Sequence, residues 1–318
     1  MSASSKTQAD ELEPEVHGFV QGILEQYAKL SAGRTLTLAE RRALAEQVRA
    51  PWIEGGPQMR ETRNIVLPDT GRTLRIHIPE GGPGNGTLLY LHGGGWILFS
   101  LDTHDRLMRE YADAAGCAVV GLDYSLAPEN PFPSALNEII ACVEWLRAHG
   151  TEYGLKTDRL LMGGDSAGGN LTLAAAMMLR DKGAALPDGL LVNYGALDTE
   201  RRASHQRYDG VPYMLDVAEM DDFWGAYVSE ADRQNPYARV MLGELSGLPA
   251  THLCIAECDI LLDENKEFLN RLRTAGVTAT AEIYPGATHS FLEAVSVSPT
   301  ARRAIADSAA WIKRMLAP

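Results

Sequence analysis

The sequence predicts an α/β protein: a mostly parallel central sheet with helices on both faces and a helical cap. Three observations carry this. From residue 87 onward, short and wholly apolar runs alternate with stretches of helical length. A strand with no polar face must be covered on both sides, which points to a parallel sheet sandwiched by helices. Second, the apolar run Leu160-Leu161-Met162 leads into Gly163-Gly164-Asp165-Ser166-Ala167-Gly168-Gly169-Asn170 and then into a small-residue helical run over 171–179. Gly164 and Gly168 flank Ser166 at the G-x-S-x-G spacing, a sharp strand-to-helix turn that lifts a serine hydroxyl above the sheet edge. Third, another apolar run, 87–91, ends in His92-Gly93-Gly94-Gly95-Trp96. Consecutive glycines there let backbone N–H groups approach a ligand oxygen unobstructed.

In chain order, residues 1 to about 13 are polar and Ser-rich and read as a mobile tail. Val16, Phe19, Val20, Ile23, Leu24, Tyr27 and Leu30 recur at helical spacing. A second helix opens at Thr37, which forms a capping box with Glu40, and is expected to end at Pro51. These two helices, residues 1–55, are expected to be a cap segment on a catalytic domain of 56–318. The pattern then predicts an antiparallel hairpin near residues 60–78, with the turn at Pro68-Asp69-Thr70-Gly71. Strands follow at 87–91, 117–123, 159–162, 190–194, 251–256 and 278–284. Helices are expected at 103–115, closed by Gly116, at 134–148, closed by Gly150, and at 167–181, 263–275 and 299–315, the last with Ser298 as N-cap. Residues 196 to about 236, rich in charge and aromatics, are too long for a bare connection and read as a helical cap insertion.

The chain has 318 residues, enough for a sizeable core, with ordinary apolar (45%) and charged (22%) content. A net charge of −13 argues against nucleic acid or an anionic membrane as partner. No apolar run has the length of a membrane span, and the N-terminus lacks the apolar core of a secretion signal, so a cytoplasmic location is expected. Cys117, Cys142, Cys254 and Cys258 lie in apolar surroundings without C-x-x-C spacing, which predicts buried thiols and no zinc site.

A serine hydroxyl needs a base, and the base needs a group that fixes its tautomer. His289, in Pro285-Gly286-Ala287-Thr288-His289, follows the last strand and can reach the edge where Ser166 emerges. Of the eight histidines, the others have no such placement, and His104 starts a helix as a structural residue. The acid is Asp259 or Asp263. Asp263 sits where a helix starts, a common place for a capping Asp, whereas Asp259 directly follows a strand and is favoured. Gly94, Gly95 and Ala167 are the candidate backbone donors to an oxyanion, each such donor being worth about 3 kcal/mol of barrier.

His92-Gly93-Gly94-Gly95-Trp96, Gly164-Asp165-Ser166-Ala167-Gly168-Gly169-Asn170, Asp123-Tyr124-Ser125-Leu126-Ala127-Pro128-Glu129-Asn130-Pro131-Phe132-Pro133 and the late Asp and His together resemble the hormone-sensitive-lipase family of bacterial esterases, over roughly residues 60–318. The subgroup suggested has an acidic residue before the serine, here Asp165. The resemblance implies an α/β-hydrolase fold and carboxylic ester hydrolysis; two-step acyl transfer calls for no metal or cofactor, and the lack of a long apolar surface points to short acyl chains. The resemblance also implies a triad of Ser166, Asp259 and His289, and an oxyanion loop at His92–Gly95 supported by Asp165 and Asp123. A homodimer is reasonable by the same resemblance. Two positions depart from the family pattern. Ser125 stands where an arginine usually helps Asp123 brace the oxyanion loop, and Ile260 stands where a proline usually follows the aspartate. Trp96, Tyr194, Tyr213, Met214 and Trp224 are candidates for the walls of the substrate pocket, although core packing is the commoner use of each aromatic. An amidase, deacetylase or acyltransferase would use the same groups, and a non-catalytic binder would be expected to have lost one of them.

Overall fold

A computed structural model describes residues 11–318. The elements are α1 (Pro14–Ser31), α2 (Leu38–Ile53), β1 (Met59–Val66), β2 (Thr73–Pro79), β3 (Thr87–Leu91), α3 (Asp105–Ala115), β4 (Ala118–Leu122), α4 (Ser134–His149), β5 (Leu160–Asp165), α5 (Ala167–Asp181), β6 (Gly189–Asn193), α6 (Ala203–Arg207), α7 (Val217–Tyr227), β7 (Ala250–Cys258), α8 (Leu262–Thr274), β8 (Ala279–Thr288) and α9 (Pro299–Met315). The eight strands form one sheet in the order β1-β2-β4-β3-β5-β6-β7-β8. The β1–β2 and β2–β4 pairings are antiparallel, and every pairing from β4 to β8 is parallel.

The two-residue period of the strands separates two cores. Leu89, Leu91, Val120, Met162, Val192 and Ile255 face one side, where α4, α5 and α8 pack. Leu88, Tyr90, Val119, Leu161, Leu191 and Cys254 face the other, under α3, α9 and the N-terminal pair α1–α2. Because successive side chains point to opposite faces, a run such as Leu88–Leu91 must be apolar throughout. Parallel register places the carboxyl ends of β3, β5, β7 and β8 along one edge. The loop after a parallel strand is where α/β sheets present ligand-binding groups.

Several expectations need correcting. The tail as far as residue 10 lies outside the described residues, but residues 11–13 are pinned. Leu12 is buried, Glu13 N–H donates to Gly286 O (3.0 Å), and the Glu13 carboxylate accepts from Thr300 N (3.0 Å) and Ser298 Oγ. Pro51 lies inside α2, which continues to Ile53. This close to the end only one helical hydrogen bond is forfeited, and Arg109 donates to the carbonyl of Ile53 and to those of Gly55 and Pro57 just beyond the helix. Gly150 stays right-handed and passes into a 3-10 turn; the left-handed residue is Gly154, at φ 74°. The 196–236 insertion is helical only at α6, α7 and a short 3-10 turn at Glu230–Asp232, with irregular chain between. β8 extends to Thr288, so His289 follows the strand directly rather than sitting within a loop. The Thr37–Glu40 capping box and the Ser298 cap, accepting from Ala301 N, both form. Among the described residues no helix is long and apolar enough to cross a membrane.

Candidate active site

The turn after β5 is built by exclusion of side chains. A Cβ on Gly168 would lie 1.9 Å from Leu91 O, and one on Gly164 would lie 2.4 Å from the same oxygen. With that clearance, Ser166 takes φ 54° and ψ −116°, a conformation that costs a non-glycine residue about 1–3 kcal/mol. The turn is held by Ser166 N donating to Asn193 O (2.9 Å), and by Asn170 N and Ala196 N donating to Ser166 O (3.1 Å each).

Three side chains distant in sequence meet there. His289 Nε2 lies 2.9 Å from Ser166 Oγ, and His289 Nδ1 lies 2.8 Å from Asp259 Oδ2. Asp259 Oδ1 accepts from Leu261 N at 3.0 Å, which fixes the carboxylate plane. All three are buried. Burial opposes charge on the imidazole, but the Asp259 carboxylate outweighs it, and the His289 pKa stands above the usual histidine value. Asp263 is elsewhere: its carboxylate accepts from Ser204 N (2.9 Å) and ties α8 to α6. Ile260 is buried, and its carbonyl accepts from Ser204 Oγ at 2.6 Å.

Beside Ser166 the glycine loop turns back on itself, Ile97 N and Leu98 N both donating to Gly94 O. Gly94 (φ 111°) and Gly95 (φ 59°) are left-handed; a Cβ would meet Leu98 O at 2.3 Å from the first and the Phe223 ring at 2.3 Å from the second. Among the described residues the N–H groups of Gly94, Gly95 and Ala167 donate to no protein acceptor, that of Ala167 because the first turn of a helix has none to offer.

Below the loop sits a buried polar cluster of which the sequence pointed only to Asp165 as a support. Asp165 Oδ1 accepts from Gly93 N (3.1 Å) and Tyr90 OH (3.0 Å), and Asp165 Oδ2 lies 3.3 Å from His104 Nε2. Burial opposes ionisation of both partners. Their mutual attraction prevails, holding Asp165 below the carboxylate range and His104 above the histidine range. His92 differs. It stacks on Tyr124 (4.3 Å) with Nδ1 2.7 Å from Gly93 O, and burial drives its pKa down to about 3, so it is neutral.

Asp123 does not brace the loop, since its carboxylate makes no hydrogen bond among the described residues. Ser125 turns instead to Glu138, with Oγ donating at 2.6 Å and N at 2.7 Å. The bracing arginine comes from α2: Arg42 donates to Ile97 O and Ala127 O, both at 2.8 Å, and pairs with Glu129.

Ser166, His289, Gly94 and Gly95 open into a cavity of about 460 Å³. Met214 lines it as expected. Four other wall candidates do not. Trp96 is buried face to face with Tyr227 (4.4 Å) and against Trp224 (4.5 Å). Tyr213 packs edge-on to Tyr208, and Tyr194 stands behind the imidazole of His289 at 5.0 Å. Trp224 faces a separate cavity with Arg233 and Arg239. The walls are instead Leu215 and Phe223 from the insertion, Leu98 and Phe99, and Ile23, Leu24, Tyr27, Arg41 and Arg49 from α1–α2. The apolar face of α1 was legible, but nothing in it says that part of that face covers a cavity rather than a core. Arg49 is buried, paired with Glu293 (3.2 Å), 4.4 Å above the Phe99 ring and 3.2 Å from Tyr27 OH. Among the described residues no group of three or more His, Cys, Asp or Glu could hold a metal ion.

Comparison with known proteins agrees with this architecture. An esterase from the hyperthermophilic archaeon Pyrobaculum calidifontis superposes with a TM-score of 0.88 at 30% identity, over 96% of this chain and 98% of that one. A thermostable carboxylesterase cloned from a metagenomic library matches with a TM-score of 0.85 at 28% identity, over 89% of this chain and 99% of that one. An esterase of the bacterial hormone-sensitive lipase family, its organism not named, matches with a TM-score of 0.85 at 28% identity, over 96% and 99%. The family profile described as the alpha/beta hydrolase fold matches residues 88–293, more than half of the chain, and the chain belongs to that family.

Proposed function

We propose that the chain is a serine carboxylesterase acting on small, short-chain acyl esters through an acyl-enzyme, with Ser166 as nucleophile, His289 as base and Asp259 as its orienting acid. The observation that carries this is the continuous relay from Asp259 through His289 to Ser166 Oγ (2.8 and 2.9 Å) beside three N–H groups without protein acceptors. His289 takes the Ser166 proton as Oγ attacks the ester carbonyl. Gly94, Gly95 and Ala167 N–H groups receive the developing oxyanion. His289 then protonates the leaving alcohol, and water repeats the sequence on the acyl-enzyme. Asp165, with His104, positions the oxyanion loop through Gly93 N. Residues up to about 55 and the 196–236 insertion act as a cap on the catalytic body, because the cavity walls away from the sheet edge come from them.

The test is labelling with a fluorophosphonate followed by peptide mapping, together with release of p-nitrophenol from its butyrate ester. An adduct on Ser166 and turnover are expected; turnover without a Ser166 adduct rejects the assignment. Rates on acetate through palmitate esters check the preference for short chains. The buried free thiols fit a reducing, cytoplasmic setting. Sedimentation velocity tests the homodimer that the family resemblance implies.

A further inference from the structure

The cavity that holds Ser166 also carries charged side chains that acyl transfer does not use. Arg41 and Arg49 come from α2, and Asp216, Glu219 and Asp222 from α7 and its N-cap. Their partners differ. Arg49 is neutralised by Glu293 at 3.2 Å. Asp216 accepts from Glu219 N at 2.7 Å, closing the first turn of α7 without losing its charge. Asp222 is exposed. Arg41 and the carboxylate of Glu219 make no hydrogen bond or ion pair among the described residues, although both line the same cavity and Glu219 is partly buried. With Arg49 satisfied by Glu293, one cation faces three carboxylates. The side of the cavity formed by α7 is therefore acidic, and Glu219 lacks a partner among the described residues. Withdrawing an unpaired carboxylate from water is unfavourable unless a donor or cation completes it, and the first turn of a helix supplies only part of that compensation. In the same cavity Leu24, Tyr27 and Phe223 offer apolar and aromatic surface suited to the methyl groups of an alkylammonium.

On the reading of the chain as an ester hydrolase, we propose that Glu219 is a specificity determinant: the cavity selects esters carrying a cationic, ammonium-type group on the segment that lies along α7. Burial, and then the neighbouring Asp216 charge, hold the Glu219 carboxyl above its ordinary pKa, while Arg49 and Arg41 pull the other way. A bound cation favours the ionised form, and assays at pH 8 favour it further.

The test compares isosteric pairs that differ only in charge. One pair places it in the alcohol: butyrylcholine against 3,3-dimethylbutyl butyrate. The other places it in the acyl chain: ethyl 4-(trimethylammonio)butyrate against ethyl 5,5-dimethylhexanoate. For each pair the ratio of kcat/KM, cation over neutral, is measured in wild type, Glu219→Gln and Glu219→Asp. Any loss of active protein cancels in the ratio, so a poorly folding variant still reports, and intrinsic reactivity differences cancel between proteins. In at least one pair the ratio is expected to fall about five-fold in Glu219→Gln, the scale of one partly screened charge pair, and to be retained in Glu219→Asp. Ratios unchanged by Glu219→Gln in both pairs overturn the inference while leaving the esterase reading intact. No turnover of either neutral ester by wild type overturns the esterase reading itself.

Discussion

The sheet edge and the proposed cap meet at the same cavity but are built on different principles. At the edge, every group proposed to react hangs from a strand end: Ser166 after β5, the glycine loop after β3, Asp259 after β7 and His289 after β8. Their spacing follows from strand register, and Gly94, Gly164 and Gly168 are dictated by backbone oxygens less than 2.5 Å from where a Cβ would lie. The cap wall comes from α1, α2 and the irregular 196–236 segment, and it is held to the edge by a few side chains, above all Arg42 and Arg49. Geometry at the edge is a property of the main chain. At the cap it is a property of individual contacts. The edge should therefore fail abruptly when altered, and the cap by degrees.

The largest effect is expected for Ser166→Ala, which should lower kcat for p-nitrophenyl butyrate by about 10⁴-fold or more while leaving the thermal midpoint near that of wild type. Gly94→Ala comes next, at about 10²- to 10³-fold in kcat, the scale of losing one oxyanion donor, because the added methyl would meet the main-chain oxygen of Leu98, which has nowhere to go. Gly95 separates the two regions. There the added methyl meets the ring of Phe223, a cap side chain. Gly95→Ala should thus be partly rescued by Phe223→Ala, whereas Gly94→Ala should not. Equal rescue of both would mean that the edge is no stiffer than the cap.

Arg49→Ala should cost about 3–5 kcal/mol of stability, because it leaves Glu293 buried and unpaired. Its effect on kcat should be smaller than that of Gly94→Ala. Chemical denaturation reads the first quantity and kinetics at saturating ester the second. The double variant Arg49→Met/Glu293→Gln should recover most of the stability. If it does not, the stacking on Phe99 (4.4 Å) and the bond to Tyr27 matter more than the ion pair.

The same division decides what could be read from sequence. Elbow and glycine-loop spacing are local, and strand ends are marked by apolar runs, so Ser166, Asp259, His289, Gly94 and Gly95 could be named as candidates and brought to one edge. Two-sided packing was legible for the same reason, whereas the spatial order of the strands was not read from the sequence. The cap was not. Trp96 and Trp224 look like pocket walls by composition, yet they pack on one another and on Tyr227. Arg49 and Glu293 are 244 positions apart, and no local pattern announces a pair at that separation. Arg42 replaces the bracing lost at Ser125 from outside the stretch the family motifs cover. His104 looked like an unremarkable helix start because its partner, Asp165, is 61 residues away.

The smallest effect expected is on the pH dependence, and it tests whether the edge is independent of the cap. His289 must be neutral to accept the Ser166 proton. Burial lowers its pKa, Asp259 raises it by more, and the net displacement is upward. The catalytically competent fraction therefore grows as pH rises through a midpoint above the ordinary value of about 6.5, and kcat/KM should still be climbing there. A midpoint below that value would mean that desolvation outweighs the carboxylate. Phe223→Ala enlarges the cavity from the cap side and should raise KM for butyrate esters by weakening apolar contact. The midpoint should stay where it is, because Asp259 and the packing of Tyr194 against the imidazole belong to the sheet edge. If the midpoint rises in Phe223→Ala, water admitted through the cap has relieved the burial that opposes protonation, and the cap shares in setting the basicity of His289.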